Sequence, residues 1–502
     1  MAGDAEARNP LRETTCILFI VASRSLPFIE GNSQSGLACH LTCSSFFTVK
    51  LLPESFVCTV FACASILVSA KFKIATFSAD VTVPIGHGMM GGLWKSKSVA
   101  DPLFAKGVVL IGGEKPVVFV SVDWCELRNA SFDRWREELA LVAGTSRERV
   151  LVSAIHQHEA PVTDLDAQQI LNLRGLAGRI CDLAFHEKAV RRVASSLRVA
   201  MDKKQRITHL GLGQAKVEKI ASNRRYVLPD GKISFGRGSS SGRNVLAAKA
   251  PEGTIDPWLK TISFWDGDRP IAALSGYATH PMSYYRTGEL SADFPGIARN
   301  RRQEETPDCL QIYFSGAAGN VTAGKYNSGE RKNRAVLAKR LHVAMTLAWK
   351  NTRRQALEQI EFRNAELFLK PRGHPGFREV DFEKKLTKGV NHWHQCLAAM
   401  GLSWRRRCES GQPVDVPAID FGPAQLLLLP GESYVEYQLA AQKMRPESFV
   451  LVAGYGEGGT GYVPTEKHWE EKDGNLEDWC WVHPGAEKLL LEAIEKVLVK
   501  TP

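Results

Sequence analysis

The chain contains no Cys-x-x-Cys pair. Five of its eleven cysteines (Cys16, Cys39, Cys43, Cys58 and Cys63) crowd into the first 63 residues, and the other six are scattered. Neither a zinc ribbon nor a disulfide framework is indicated. The apolar stretch Phe56 to Ala70 has fifteen residues, short of the roughly 20 that a helical membrane span needs. Internal repeats and low-complexity linkers are absent, which excludes a solenoid and argues against several loosely tethered domains. Charge of one sign is not concentrated either. Lysine and arginine number 64 against 54 acidic residues, for a formal net charge of +10, and the tightest cluster is Arg405, Arg406 and Arg407. With dispersed charge and no groove-reading motif, nucleic acid is not the expected partner. A soluble surface accounts for the excess, as does a basic face that meets anionic membranes or acidic substrates.

What is present is an ordinary globular composition, 44% hydrophobic and 24% charged over 502 residues. Residues 1–70 lack amphipathic periodicity and read as a leader. Within it, Phe56 to Ala70 is uncharged, follows Lys50, and ends in Val68-Ser69-Ala70. These features suit a signal-peptide core and its cleavage site. Such a segment belongs near the chain's start, so translation is expected to begin near Val49, with a secreted or periplasmic product starting around Lys71. A disordered leader is the alternative.

From Ile74 the texture becomes α/β. Strands are expected at Pro116–Val122, Arg149–Ile155, Lys260–Phe264, Ile271–Leu274, Leu310–Phe314, Gln425–Leu429 and Phe449–Ala453. Helices are expected at Phe132–Val142, Asp293–Glu305, Arg334–Trp349, Ser433–Met444 and Ala486–Val499. Residues 71–502 therefore read as one large mixed-sheet unit with flanking helices. The segment Pro371 to Val416, rich in Trp, His and Arg, reads as an irregular excursion or lid.

Chemistry gathers just beyond the apolar strands. His156-Gln157-His158 follows the run Val150 to Ile155; in an extended backbone residues two apart face the same way, so both imidazoles can reach one cavity. His280-Pro281 follows another strand, with proline holding the histidine in an extended turn. Pro430-Gly431-Glu432 places a carboxylate at a strand-to-helix junction, and Tyr462 follows the glycine-rich loop Gly454 to Gly461. Two histidines, a carboxylate and a phenol suit a four-donor zinc shell. Each also has a plainer role: a core histidine, a helix-start charge, a packed aromatic. The loop Ser315 to Gly324, with Thr322, offers backbone amides and a hydroxyl for an oxyanion, or is an ordinary tight loop. His392-Trp393-His394-Gln395-Cys396 is a competing metal candidate. Asp123 and Glu126 are candidates to orient a histidine.

In this order the segments resemble the neutral (non-lysosomal) ceramidase family, zinc amidases that cut the N-acyl bond of ceramide. The likeness covers roughly residues 74–475. It includes Ala79 to Thr82, Met89-Met90-Gly91-Gly92, Asn223-Arg224, Ala278 to Pro281, Leu429 to Glu432 and Gly461-Tyr462-Val463. His156-Gln157-His158 is similar to the family's His-Thr-His motif. The resemblance implies a ceramidase-type fold and a Zn²⁺ ion held by His156, His280, Glu432 and Tyr462, with His158 carrying the proton and Arg224 lining the site. The family's Gly-Asp-Val-Ser-Pro-Asn loop is replaced by Gly319 to Gly324, so that Thr322 stands for its serine and Asn320 for its aspartate. No counterpart of the family's C-terminal immunoglobulin-like domain is expected. The implied substrate is a small-molecule or lipid acyl amide, with peripheral contact to a membrane surface. The rival readings are a hydrolase of another amide, ester or sugar-linked acyl group, and a metal-containing binding protein without catalysis.

Overall fold

The computed structural model describes residues 47–48, 59–60, 71–242 and 244–499. The chain divides into two units, Met1–Val68 and Ser69–Pro502. In the first, Phe47–Thr48 pairs antiparallel with Thr59–Val60. The leader expected over 1–70, with its signal-peptide-like stretch 56–70, otherwise lies outside the described residues.

Three sheets of four or five strands frame the second unit, beside several two-stranded ladders. The first contains β1 (Phe72–Asp80), β2 (Phe104–Ile111), β3 (Val117–Val122), β4 (Val150–Ala154) and β5 (Gln205–Ile207), in the order β4-β3-β2-β1-β5. The second contains β6 (His209–Lys216), β7 (Trp258–Asp266), β8 (Arg269–Tyr277), β9 (Leu310–Ser315) and β10 (Arg353–Ala356), in the order β9-β8-β7-β6-β10. The third runs β11 (Glu361–Leu367), β12 (Val414–Asp420), β13 (Ala424–Leu428) and β14 (Phe449–Ala453) in sequence order. Every ladder in these sheets is antiparallel except three: β3 with β4, β8 with β9, and β13 with β14. Each sheet thus ends on one parallel pair.

One face of each sheet looks into a shared apolar core. Val108, Phe119 and Leu151 from the first meet Ile262, Leu274 and Phe314 from the second and Ile419, Leu426 and Leu451 from the third. Phe119 and Phe314 touch edge to face across it, centroids 5.1 Å apart. Helices cover the outer faces. Leu183–Asp202 lies on β1, and its start is fixed by Asp182, whose carboxylate accepts from the amides of Ala184 and Phe185. Lys332–Lys350 lies on β6, and Ala486–Leu498 on β11 and β12.

The parallel pairs meet at their C-terminal ends, where α/β folds gather chemistry. Hydroxyls and amides stitch these ends together. Ser121 Oγ donates to Tyr313 O at 2.6 Å, Ser315 Oγ to Ile155 O at 2.7 Å, and Ser153 Oγ to Gly454 O at 2.8 Å. The amides of Gly454 and Ala154 donate to Ser315 O and Tyr455 O. Three loops from three sheets are thereby fixed against one another.

The strands and helices named from the sequence are all present, within a few residues of the expected bounds. The segment Pro371 to Val416 is more regular than expected. It holds helices Glu379–Lys385 and His392–Glu409 and the start of β12, and it buries Cys396, Met400 and Trp404. No helix among the described residues is long and apolar enough to cross a membrane.

Candidate functional site

His156, His280 and Glu432 converge where the three parallel pairs end. Their nearest donor atoms all lie within 4.8 Å of one another. The chain leaves β4 at Ala154, and His156 then adopts φ +74°, a left-handed value that a non-glycine residue rarely takes and that costs of order 1–3 kcal/mol. The backbone there is not extended. The two imidazoles of His156 and His158 still meet, at a centroid distance of 5.2 Å, but through a turn rather than through strand alternation.

His156 Nδ1 donates to the carbonyl of Cys125 at 3.0 Å, and His280 Nδ1 to that of Ala318 at 2.6 Å. A carbonyl can only accept, so both Nδ1 atoms carry hydrogen, and in the neutral imidazoles both Nε2 atoms present lone pairs. Those lone pairs face Glu432: His280 Nε2 is 2.9 Å and His156 Nε2 3.3 Å from Glu432 Oε2. His280 and His156 are fully buried, and Glu432 is 1% exposed. Three electron-pair donors crowded together out of water need a proton or a metal cation between them. Burial, with the Arg224 guanidinium beside it, lowers the His280 pKa to about 4, so a proton is disfavoured there. At His156 burial opposes protonation, but the Glu432 carboxylate prevails and raises its pKa. The donor set fits a divalent cation of the zinc type.

Glu432 is aimed by a short parallel ladder, Glu432–Ser433 against Tyr462–Val463, in which Glu432 and Tyr462 are direct partners. The turn before it requires glycine. Gly431 has φ +44°, and a Cβ there would lie 1.9 Å from Thr460 Oγ1. Tyr462 is buried beneath the Arg224 guanidinium, which sits 5.3 Å from its ring centroid. Arg224 also gives Nη1 to Asn475 at 2.9 Å and places Nη2 3.2 Å from His280 Nε2, leaving Nε buried without a partner.

His158 lies beside this cluster. Its ring lies 6.1 Å from that of His280, and its Nε2 is buried without a hydrogen bond. Burial and the two neighbouring imidazoles hold its pKa well below the usual value, so it is neutral at physiological pH. His158, Arg224 and Tyr462 each keep 8% of their surface exposed, against none for His156 and His280.

Thr322 lies in the loop behind His280. Its hydroxyl donates to Gly238 O at 2.7 Å and accepts from the Gly324 amide. The amides of Gly316, Ala317, Gly319 and Val321 are likewise engaged with the protein. Small residues are needed there for protein packing: a Cβ on Gly319 would lie 2.2 Å from Glu432 O. Glu126 Oε1 stands 3.8 Å from His156 Nδ1, while Asp123 is taken up by a two-pronged pair with Arg299. His392 and His394 are exposed on one helix, where residues two apart point to different sides; they and Cys396 form no donor cluster.

One contributor escaped sequence reasoning. Tyr455, at φ +55°, stacks on His156 at 4.2 Å and 16°, with its hydroxyl 3.4 Å from His280 Nδ1. Its only sequence signal was its place in the glycine-rich loop.

Three mixed sheets with their chemistry at the joined strand ends make a neutral-ceramidase-type α/β fold. Solved structures that share it include two ceramidases. Neutral ceramidase from Pseudomonas aeruginosa superimposes with a TM-score of 0.63 at 17% identity, over 86% of this chain and 74% of that one. A ceramidase complexed with C2 gives 0.64 at 17% identity, over 86% and 75%. No family model and no curated protein matches the chain.

Proposed function

We propose that the protein is a zinc-dependent hydrolase of N-acyl amide bonds, with His156, His280, Glu432 and Tyr462 holding the ion. The observation that carries this reading is the convergence of two imidazoles and a carboxylate, all buried, with each imidazole oriented by a backbone carbonyl. When bound, zinc supplies Lewis acidity that polarises an acyl carbonyl and lowers the pKa of water to about 7.

The remaining work falls to the chain. His158 is neutral and partly accessible. Its unpartnered Nε2 takes the proton released as water adds to the acyl carbon, and returns it to the amine nitrogen as the C–N bond breaks. Products are a carboxylic acid and an amine. Arg224, with a buried unpartnered N–H, is the free donor for charge developing on the carbonyl oxygen. Thr322 holds the loop that presents the Ala318 carbonyl to His280. The substrate is a small-molecule or lipid acyl amide, cleaved beside His158.

The test is a panel of N-acyl amines, N-acyl-sphingosine included, against zinc-loaded protein with amine release as the signal. Hydrolysis of at least one amide, lost in His158→Ala, is expected. Full zinc occupancy with no acyl substrate cleaved would instead support a binding protein.

A further inference from the structure

We infer that the rim beside His158 recognises an anionic group on the substrate and that Arg286 is the specificity determinant. The inference rests on the amidase reading and narrows its substrate class. Tyr285 turns its ring edge-on to His158, with centroids 5.3 Å apart, and stacks against Trp94 at 6.0 Å. The next residue, Arg286, is exposed and holds its guanidinium 5.5 Å from the Tyr285 ring centroid.

Arg286 makes no ion pair or hydrogen bond among the described residues, unlike the other arginines nearby. Arg331 pairs with Glu289, Arg334 with Asp293, and Arg224 with Asn475. Its backbone is also strained, at φ +69°. For a side chain other than glycine, such a conformation persists only where its surroundings impose it.

What imposes it is Glu159, fully buried and adjacent to His158. Its Oε1 accepts from the amide and hydroxyl of Thr287 at 2.6 and 2.8 Å. Its Oε2 accepts from the Gly288 amide at 3.3 Å and from Trp94 Nε1 at 3.2 Å. One carboxylate thus ties both walls of the rim to the residue after the proton carrier. The result is an exposed, unpaired guanidinium on an aromatic ring whose edge meets His158. A guanidinium fork suits a carboxylate or a phosphate. An acyl amide with such a group at its outer end would be oriented with its amide inward.

Calorimetry with non-cleavable analogues tests this. Three ligands share an acyl chain, carry CH₂ in place of the amide N–H, and end in carboxylate, phosphate or hydroxyl. Wild type is expected to bind one of the anionic analogues about 10–100-fold tighter than the hydroxyl analogue. The two anionic arms show which oxyanion the rim prefers. Arg286→Gln should bring the ratio to within about threefold, and Arg286→Lys should keep part of it. Equal affinities in wild type, a ratio unchanged in Arg286→Gln, or no binding of any analogue overturns the inference. Turnover of the matching amides is read separately. Selective binding without hydrolysis contradicts the amidase reading alone, and hydrolysis without anion preference contradicts the role of Arg286 alone.

Discussion

His280 Nε2 and Glu432 Oε2 lie 2.9 Å apart with no hydrogen to share, because the imidazole's one hydrogen is committed to the Ala318 carbonyl. Without a metal, this contact calls for a proton in the cluster, beside the Arg224 guanidinium whose Nη2 lies 3.2 Å from the same nitrogen; a bound zinc ion would supply that positive charge instead. Replacing Glu432 with Gln converts one acceptor into a donor that can satisfy a histidine lone pair. Glu432→Gln should therefore fold, with a urea midpoint no lower than that of zinc-free wild type. Its zinc affinity should fall by more than the 10–100-fold typical of outer-shell partners. A competitive chelator titration measures the second effect.

His158 has no place in the donor triangle of His156, His280 and Glu432, so its loss should separate chemistry from metal binding. In His158→Ala, zinc content should stay at the wild-type level. Amide hydrolysis should fall by about 10²–10⁴-fold, the usual range for a general acid–base group. Metal analysis and turnover on the same preparation check both halves.

Tyr455 backs His156 with its ring face. Tyr455→Phe keeps that stack and should bind zinc nearly as wild type does. Tyr455→Ala leaves a void against a buried imidazole and should cost about 3–5 kcal/mol in chemical denaturation, within the range for large aromatic deletions.

His186 predicts a pH dependence away from the site. Its Nε2 lies 2.7 Å from Ser131 Oγ, and burial lowers its pKa from 6.5 to about 4. Between these values the unfolded chain takes up a proton that the folded protein refuses. The contribution of His186 is therefore complete above pH 6.5 and is lost as pH falls toward 4, by up to roughly 3 kcal/mol. His186→Gln should flatten the fall of the urea midpoint over that interval; an unchanged slope would assign the acid sensitivity to other groups.

Much of the fold was legible because its inner strands are continuous apolar runs. Val117–Val122 and Val150–Ala154 are buried along their whole length and read as such. Phe72–Asp80 and Phe104–Ile111 carry a weaker strand signal because lysine, serine and glycine interrupt their pattern, although antiparallel pairing buries most of each. The helix Leu183–Asp202 carried signals that went unread: Asp182 as cap, and Val190, Val193 and Leu197 along one face.

In the site, His156, His280 and Glu432 could be named since each follows a strand end, where an α/β fold brings distant segments together. What orients them could not. The Cys125 and Ala318 carbonyls are backbone groups, which sequence does not distinguish, and the turn at His156 depends on three loops meeting. His392-Trp393-His394 has the same spacing as the site histidines, but that spacing implies a shared face only in a strand; the segment is a helix, and Trp393 stacks on Trp479.

If His156, His280 and Glu432 hold a zinc ion, metal analysis of purified wild type beside His280→Ala and Glu432→Ala will reveal it, with circular dichroism confirming that each variant is folded. Wild type should carry about one zinc per chain, and both variants should lose it. Folded variants that retain zinc at wild-type stoichiometry would contradict that assignment.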